Sequence, residues 1–352
     1  MFIAPLRYVA PCRPAFFMPW QAVRGIVSFK GAVVCYETET TRYDRRRMLK
    51  TLFLVIVTLV ALAALTALVQ HLRLSTSADL PPQPDGTVRV ASWNVHYIIL
   101  GQKEGRWGLS GWEERKGPMD AGFKALQADI VAFQEMESFA RGSSNDVNLA
   151  RDWLLENNPA YTVAATGPAA TFPNTQPMLY RPDRFEVLDQ GWFFFSTTPD
   201  AIYSRTFNGS FPAFASWAEF RETATDAVFR IVNIHTDAFS HSNRVQSIEL
   251  VAERVSPWIA AGQTVLVVGD LNGLNGSSLH RRLGEVGVRF EDVPYATFHL
   301  DRGLHLFGAI DHIGTSGSAA IAAGPHVLQR QYDGVWPTDH HPVVADVTFG
   351  AP

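Results

Sequence analysis

Strands and helices alternate along most of this chain in a pattern that predicts an α/β sandwich of mixed β-sheets flanked by helices, preceded by one transmembrane helix. Three observations carry that prediction. From residue 87 onward, short runs rich in branched and aromatic residues are separated by stretches with helical apolar spacing. The runs near 178–195 and 214–233 follow one another too closely for helical crossovers, which implies antiparallel pairing and excludes an all-parallel sheet. Ahead of them lies an uncharged apolar run of membrane-spanning length.

The elements are justified in chain order. Residues 1–47 show no clean periodicity and form a poorly defined N-terminal extension, with Met48 as an alternative start of translation. Residues 51–70, TLFLVIVTLVALAALTALVQ, contain no charge. At about 1.5 Å per residue they span roughly 30 Å, the thickness of a hydrocarbon core. No face of this segment is polar, which argues against a buried core helix. Arg45, Arg46, Arg47 and Lys50 precede it, so the N-terminus is expected inside and the remainder outside the cytoplasmic membrane. The run exceeds a signal-peptide core and favours an uncleaved signal-anchor. Cleavage near Thr76-Ser77-Ala78, which would release a secreted domain, is the alternative.

Residues 71–86, with Pro81, Pro82, Pro84 and Gly86, read as a short stiff linker, and 87–352 as the globular domain. Within it, 88–95, 129–134, 161–165, 178–181, 227–233 and 264–268 read as strands. Residues 112–127, 145–156, 243–259 and 277–285 read as helices, Asn145 capping the second and Ser277 the fourth.

Composition narrows the class. Hydrophobic residues form 47% and charged residues 18% of the chain, which excludes disorder and leaves material for a large core. Cys12 and Cys35 both lie in the N-terminal fifth, so the rest forms no disulfide and any metal there is held by oxygen or imidazole. Residues 51–352 carry 21 basic against 31 acidic side chains, a balance that repels polyanions at long range and weakens a nucleic-acid reading.

Chemistry concentrates where apolar strands end in polar residues, because a strand end holds a side chain rigidly. VASWN ends in Asn94, IVAFQE in Glu135, and FRIVNIH in His235, with Asn233 on the same face by period-two alternation. VLVVGDLN ends in Asp270 and Asn272. AIDHI supplies Asp311, and TDHHP supplies Asp339 and His340 ahead of a strand at 342–349.

The ordered series SWN, FQE, NIH, GDLN, IDHI and TDHHP resembles the motifs of the endonuclease/exonuclease/phosphatase family, which includes deoxyribonuclease-like enzymes, inositol polyphosphate phosphatases and neutral sphingomyelinases. The match runs from about residue 88 to the C-terminus. The resemblance implies a four-layer sandwich of two packed mixed β-sheets and a metal-dependent phosphoester hydrolase. It implies Mg²⁺, with Mn²⁺ as a substitute, near Glu135, Asn94 and Asp339. An Asp311–His340 pair would act in proton transfer, Asp270 and Asn272 would position water and phosphate, and His235 would bond phosphate oxygens. The general base is either Asp270 or His340.

Tyr180, Asn233 and Asp237 are secondary substrate-binding candidates, and Trp107, Trp112 and 192–195 are candidate cleft aromatics. Arg244 and Gln246 read as structural. The acidic balance and the membrane segment favour a small phosphoester or lipid headgroup as substrate, with a DNA or RNA nuclease as the alternative. A catalytically inactive tethered binding domain is the alternative of another class. Oligomeric state is not legible.

Overall fold

The computed structural model describes residues 26–29, 32–35, 39–139 and 146–350. Its contacts divide the chain after Leu68 into two units. In the first, Ile26–Phe29 pairs antiparallel with Ala32–Cys35 and a helix, Glu39–Leu74, begins. Within this helix, Arg45–Leu74 is long and apolar enough to cross a membrane, and none of its most apolar window is buried.

The second unit contains two six-stranded mixed sheets, as the sequence predicts. The first runs Ala319–Val327, Val343–Phe349, Val88–Asn94, Ile130–Gln134, Met178–Tyr180, Thr162–Ala164. The second runs Arg289–Phe290, Asp311–Thr315, Thr264–Asp270, Val228–His235, Phe214–Glu222, Phe185–Phe194. Each sheet has one parallel pair near its middle, Val88–Asn94 with Ile130–Gln134 and Val228–His235 with Thr264–Asp270. All other pairings within the two sheets are antiparallel.

Period-two alternation explains the layers. Val88, Val90, Ile130 and Ala132 point inward and meet Phe229, Ile231, Leu266 and Val268 of the facing sheet in one core. On the outer face of the first sheet, Trp93, Val131 and Phe133 pack on Met119 and Phe123 of the helix Leu109–Leu126 and on Leu154 of the helix Leu149–Asn157. On the outer face of the second, Val232, Val265 and Val267 pack on Ile248 and Val251 of His241–Ala260 and on Leu279 and Leu283 of Ser278–Glu285. Two sheets each covered by helices give four layers.

Two expectations, both of helix caps, differ. Asn145 lies outside the described residues, and the observed cap is Asn148, whose side chain accepts from the Arg151 amide at 3.1 Å. Ser277 takes the cap position, but its hydroxyl turns to His280 at 2.9 Å and not to a helix amide. The segment 71–86, read as a stiff linker, is bonded to the domain along its length. The Leu74 carbonyl accepts from Ala296 N at 3.1 Å, the Thr76 amide donates to Gln329 at 2.7 Å, and Pro81 O accepts from Arg89 at 2.8 Å.

Arg89 also makes a two-pronged, fully buried pair with Asp346 on the neighbouring strand, at 2.7 and 2.9 Å. Removing one partner strands a buried charge. Asp346→Ala is expected to lower the unfolding free energy of the domain by about 3–5 kcal/mol, read by chemical denaturation; a loss below the range of surface substitutions would refute it.

Candidate active site

Along each central strand, apolar inward residues give way to polar ones at the same end of the sandwich. Val90 is followed inward by Ser92 and Asn94, Ala132 by Gln134, Ile231 by Asn233 and His235, and Val268 by Asp270. Register aligns these ends: Asn94 opposes Gln134, His235 opposes Asp270, and Asp270 opposes Asp311.

The Asn94 amide nitrogen donates to Glu135 Oε1 at 3.1 Å and to Asp270 Oδ2 at 3.2 Å, joining the two sheets. His235 Nε2 lies 3.7 Å from each of the same two carboxylate oxygens. His340 Nε2 lies 3.8 Å from Asp270 Oδ2, while its Nδ1 is bonded to Asp311 Oδ2 at 2.9 Å. Five of the residues singled out by sequence, Glu135, His235, Asp270, Asp311 and His340, thus meet around Asn94. Asp339 stands next to His340 with its carboxylate bonded to the Thr338 hydroxyl at 3.2 Å. Asn272 turns its side-chain nitrogen to Thr236 O at 2.9 Å and its backbone amide to Asp270 Oδ1 at 2.8 Å, fixing that carboxylate.

Local backbone geometry sets these positions. Gly269 has φ +137°, and a Cβ there would lie 1.9 Å from Ile234 O, so only glycine lets Asp270 approach the neighbouring strand this closely. Glu135 (φ +53°) and Asn272 (φ +46°) take left-handed conformations just past their strands.

Electrostatics separate the groups. Burial pushes the Asp270 carboxyl up, the Asp311 charge adds to this, and His340 and His235 oppose it, leaving it at about 6. Burial acts to lower His340, but the Asp311 charge and hydrogen bond, with Asp270 and Asp339, outweigh this and raise it to about 10. Burial likewise raises Asp339, but His340 and His96 hold it below the ordinary carboxylate range. The cluster therefore keeps its proton on His340.

A divalent cation fits this donor set. Glu135 Oε2 and Asp311 Oδ1 are buried and accept no hydrogen bond, which is costly for carboxylate oxygens unless a cation serves them. Among the described residues, Asp270, Asp311 and His340 are the one group of three whose ligand-type atoms all lie within 4.8 Å of one another, and with the proton on His340 its two carboxylates are the ones open to a cation. That differs from the expected set Glu135, Asn94 and Asp339. Asn94 in particular turns its nitrogen to the carboxylates and its oxygen to the His96 amide at 3.1 Å, so it bridges acids and does not present a ligand oxygen.

Linkage fixes a sign. Asp270 is raised in the folded state, so its ionisation costs stability as pH climbs from the unfolded value of 3.8 through about 6. His340 is raised too, so its contribution is complete below 6.5 and is lost as pH rises through about 10. A divalent cation bound here would compete with the Asp270 proton, so the rise in Tm on adding Mg²⁺ is expected to grow as pH increases through about 6 and to lose that dependence in Asp270→Asn. A Mg²⁺ effect on Tm that is flat across this window in the unaltered chain would contradict the assignment.

Three secondary candidates do not reach the site. Asn233 is fully buried and bonded to Gln134, Phe133 O and Gln176 O, so it clamps the two sheets beneath the site. Asp237 accepts from the amides of Phe239 and Ser240 at 2.8 and 2.7 Å and serves its own turn. Tyr180 pairs with Ile130, at the far end of the strand that leads to Glu135, and packs edge-on against Phe220. Of the candidate cleft aromatics, Trp112 and Phe193–Phe195 are core, whereas Trp107 stacks on His96 at 3.6 Å.

Sequence reasoning missed Arg115. Fully buried in the helix Leu109–Leu126, it donates to the carbonyls of Val95 (2.9 Å), His96 (3.1 Å) and Pro337 (3.3 Å). It thereby ties the loop after Asn94 to the loop that carries Asp339. An arginine between helical residues gives no local signal of this reach. His299, His305 and His341, unassigned by sequence, form a second buried cluster in which His305 and His341 meet at 2.9 Å.

A scan against protein-family models finds no match, and a search of curated proteins finds none either. Solved structures do match. A Bacteroides vulgatus endonuclease/exonuclease/phosphatase superposes with TM-score 0.62 at 24% identity, over 75% of this chain and 99% of that one. A Bacteroides thetaiotaomicron mannosyl-6-phosphatase gives 0.58 at 22%, over 74% and 100%. The human Nocturnin catalytic domain with bound sulfate gives 0.53 at 16%, over 76% and 96%. These likenesses establish the fold.

Proposed function

We propose that this chain, which has the endonuclease/exonuclease/phosphatase fold, is a metal-dependent hydrolase of phosphate esters tethered to the outer side of the cytoplasmic membrane by the helix Arg45–Leu74. The observation that carries this reading is the convergence of Glu135, His235, Asp270, Asp311 and His340 on Asn94, with two buried carboxylate oxygens unserved. Such an array suits cleavage at phosphorus, where charge must be neutralised and a water activated.

Glu135 would hold Mg²⁺, with Mn²⁺ as a substitute, and Asp339 and Asp270 would add negative charge beside it. When bound, the cation supplies charge neutralisation at the phosphate oxygens. Asp270 is ionised above about 6 and rigidly held by Asn94 and the Asn272 amide, which suits it to accept the proton of an attacking water. His340, kept cationic by Asp311, presents Nε2 toward the same place and suits stabilisation of a developing negative oxygen. His235, one-quarter exposed, is placed to bond a phosphate oxygen from the open side.

The acidic balance of residues 51–352 and the tether favour a small phosphoester or a lipid headgroup over duplex DNA. The test is a substrate panel with the full chain: a chromogenic phosphodiester, sugar phosphates, phospholipid headgroup esters, RNA and plasmid DNA. Hydrolysis that requires Mg²⁺, stops with EDTA and returns with added metal is the expected result. Fastest turnover on nucleic acid would make the chain a nuclease. No turnover of any phosphoester, with metal bound, would leave a binding domain and overturn the proposal.

A further inference from the structure

The face of the domain beside the end of the apolar helix carries side chains that the enzyme reading leaves unused. Residues 69–74 close the helix, and the domain grips them at once. The His305 amide donates to His71 Nδ1 at 3.2 Å, the two imidazoles stack at 5.2 Å, and Ser75 Oγ meets His305 Nδ1 at 2.6 Å. Ala296 N and Gln329 Nε2 both donate to the Leu74 carbonyl, at 3.1 and 2.9 Å. Leu74 lies five helical steps beyond Val69, a rise of roughly 8 Å. The headgroup layer on one side of a bilayer is about 5–7 Å deep. Chain connectivity therefore places the loop 299–307 at the level of the headgroups.

That loop alternates. His299 and His305 turn inward and are buried, while Leu300, Arg302 and Leu304 turn outward. Leu300 is 39% exposed, Leu304 40%, Phe307 54%, and Leu72 on the helix end 66%. Arg73 and Arg302 are exposed among them, and neither has a carboxylate partner among the described residues. Apolar side chains interleaved with unpaired arginines match an interface where hydrocarbon meets anionic phosphate. Left in water, the same side chains would form an apolar patch without a partner.

We infer that Leu72, Arg73, Leu300, Arg302, Leu304 and Phe307 form a membrane-contacting surface that seats the domain on the leaflet from which the chain emerges. The inference rests on the anchor reading above. The surface adjoins the active site, because the His299 amide donates to Asp339 O at 2.9 Å and His305 is bonded to His341. Seating this face on the bilayer holds the loop that flanks Asp339 and His340 against a fixed support.

The test uses the full chain with Cys12→Ser and Cys35→Ser in nanodiscs of phosphatidylcholine and phosphatidylglycerol. Spin labels are placed singly at Val60→Cys, Leu304→Cys, Phe307→Cys and Val228→Cys, and their access to oxygen and to a water-soluble nickel chelate is compared. Val228 lies at the start of its strand, at the opposite end from His235, and serves as the aqueous reference. The expected result is strong preference for oxygen at 60, an intermediate preference at 304 and 307, and nickel access at 228. Oxygen preference at 60 with nickel access at 304 and 307 equal to that at 228 overturns this inference and leaves the anchor standing. Nickel access at 60 overturns both. Labels at 304 shielded from both reagents and broadened by one another would assign the face to a second copy and equally overturn it.

Discussion

His340→Ala is expected to lower turnover of a phosphodiester by about 10²–10⁴-fold, with a much smaller change in KM. The size follows from position. His340 is buried, bonded to Asp311 at 2.9 Å and directed at Asp270 from 3.8 Å, so its charge is fixed at that point. A cation that acts on charge developing at phosphorus contributes to the transition state and little to ground-state binding, which is why kcat and not KM should carry the loss. Asp311→Asn is the companion variant. It keeps the shape but removes the charge that raises His340, so the alkaline limit of activity should move to lower pH. Wild-type kcat in His340→Ala, measured at saturating substrate and Mg²⁺, would remove this residue from the chemistry.

Glu135→Ala is expected to abolish the response to Mg²⁺ and to reduce the rate by about 10³-fold, the equivalent of several kcal/mol of lost charge neutralisation. Glu135 Oε1 is shared with Asn94 and Oε2 is buried without a hydrogen bond, which is the arrangement expected of a side chain that serves a ligand. Its left-handed backbone supplies a control. Glycine tolerates that conformation, so Glu135→Gly should fold with stability equal to or above that of the unaltered chain while losing metal response. Titration calorimetry with Mg²⁺ and denaturant unfolding on the two variants separate the effects. Full metal-dependent activity in either variant would rule out the proposed ligand.

Legibility varied with the range of the interactions involved. The strand ends at Asn94, Glu135, His235 and Asp270 were readable because alternation and the switch from apolar to polar residues are local properties of each strand. The same rule placed Asn233 on the site face correctly, yet could not tell a buried clamp from a substrate contact. That distinction depends on Gln134, 99 residues away, lying opposite. Tyr180 failed for a related reason: its face was legible, but the antiparallel register that puts it beside Ile130 was not. Asn94 was read as a cation ligand, and only the proximity of two acids turns its nitrogen toward them.

By itself, then, the order of residues determined the mixed α/β class, the apolar helix and the identity of the polar groups at the strand ends, since each depends on neighbours a few positions apart. Tertiary structure alone decided which of those groups share a proton, that Arg115 ties two site loops together, and that the segment after the helix is gripped by the domain. These depend on contacts between residues separated by tens to hundreds of positions, where free energy comes from burial and charge in a common space and leaves no periodic trace along the chain.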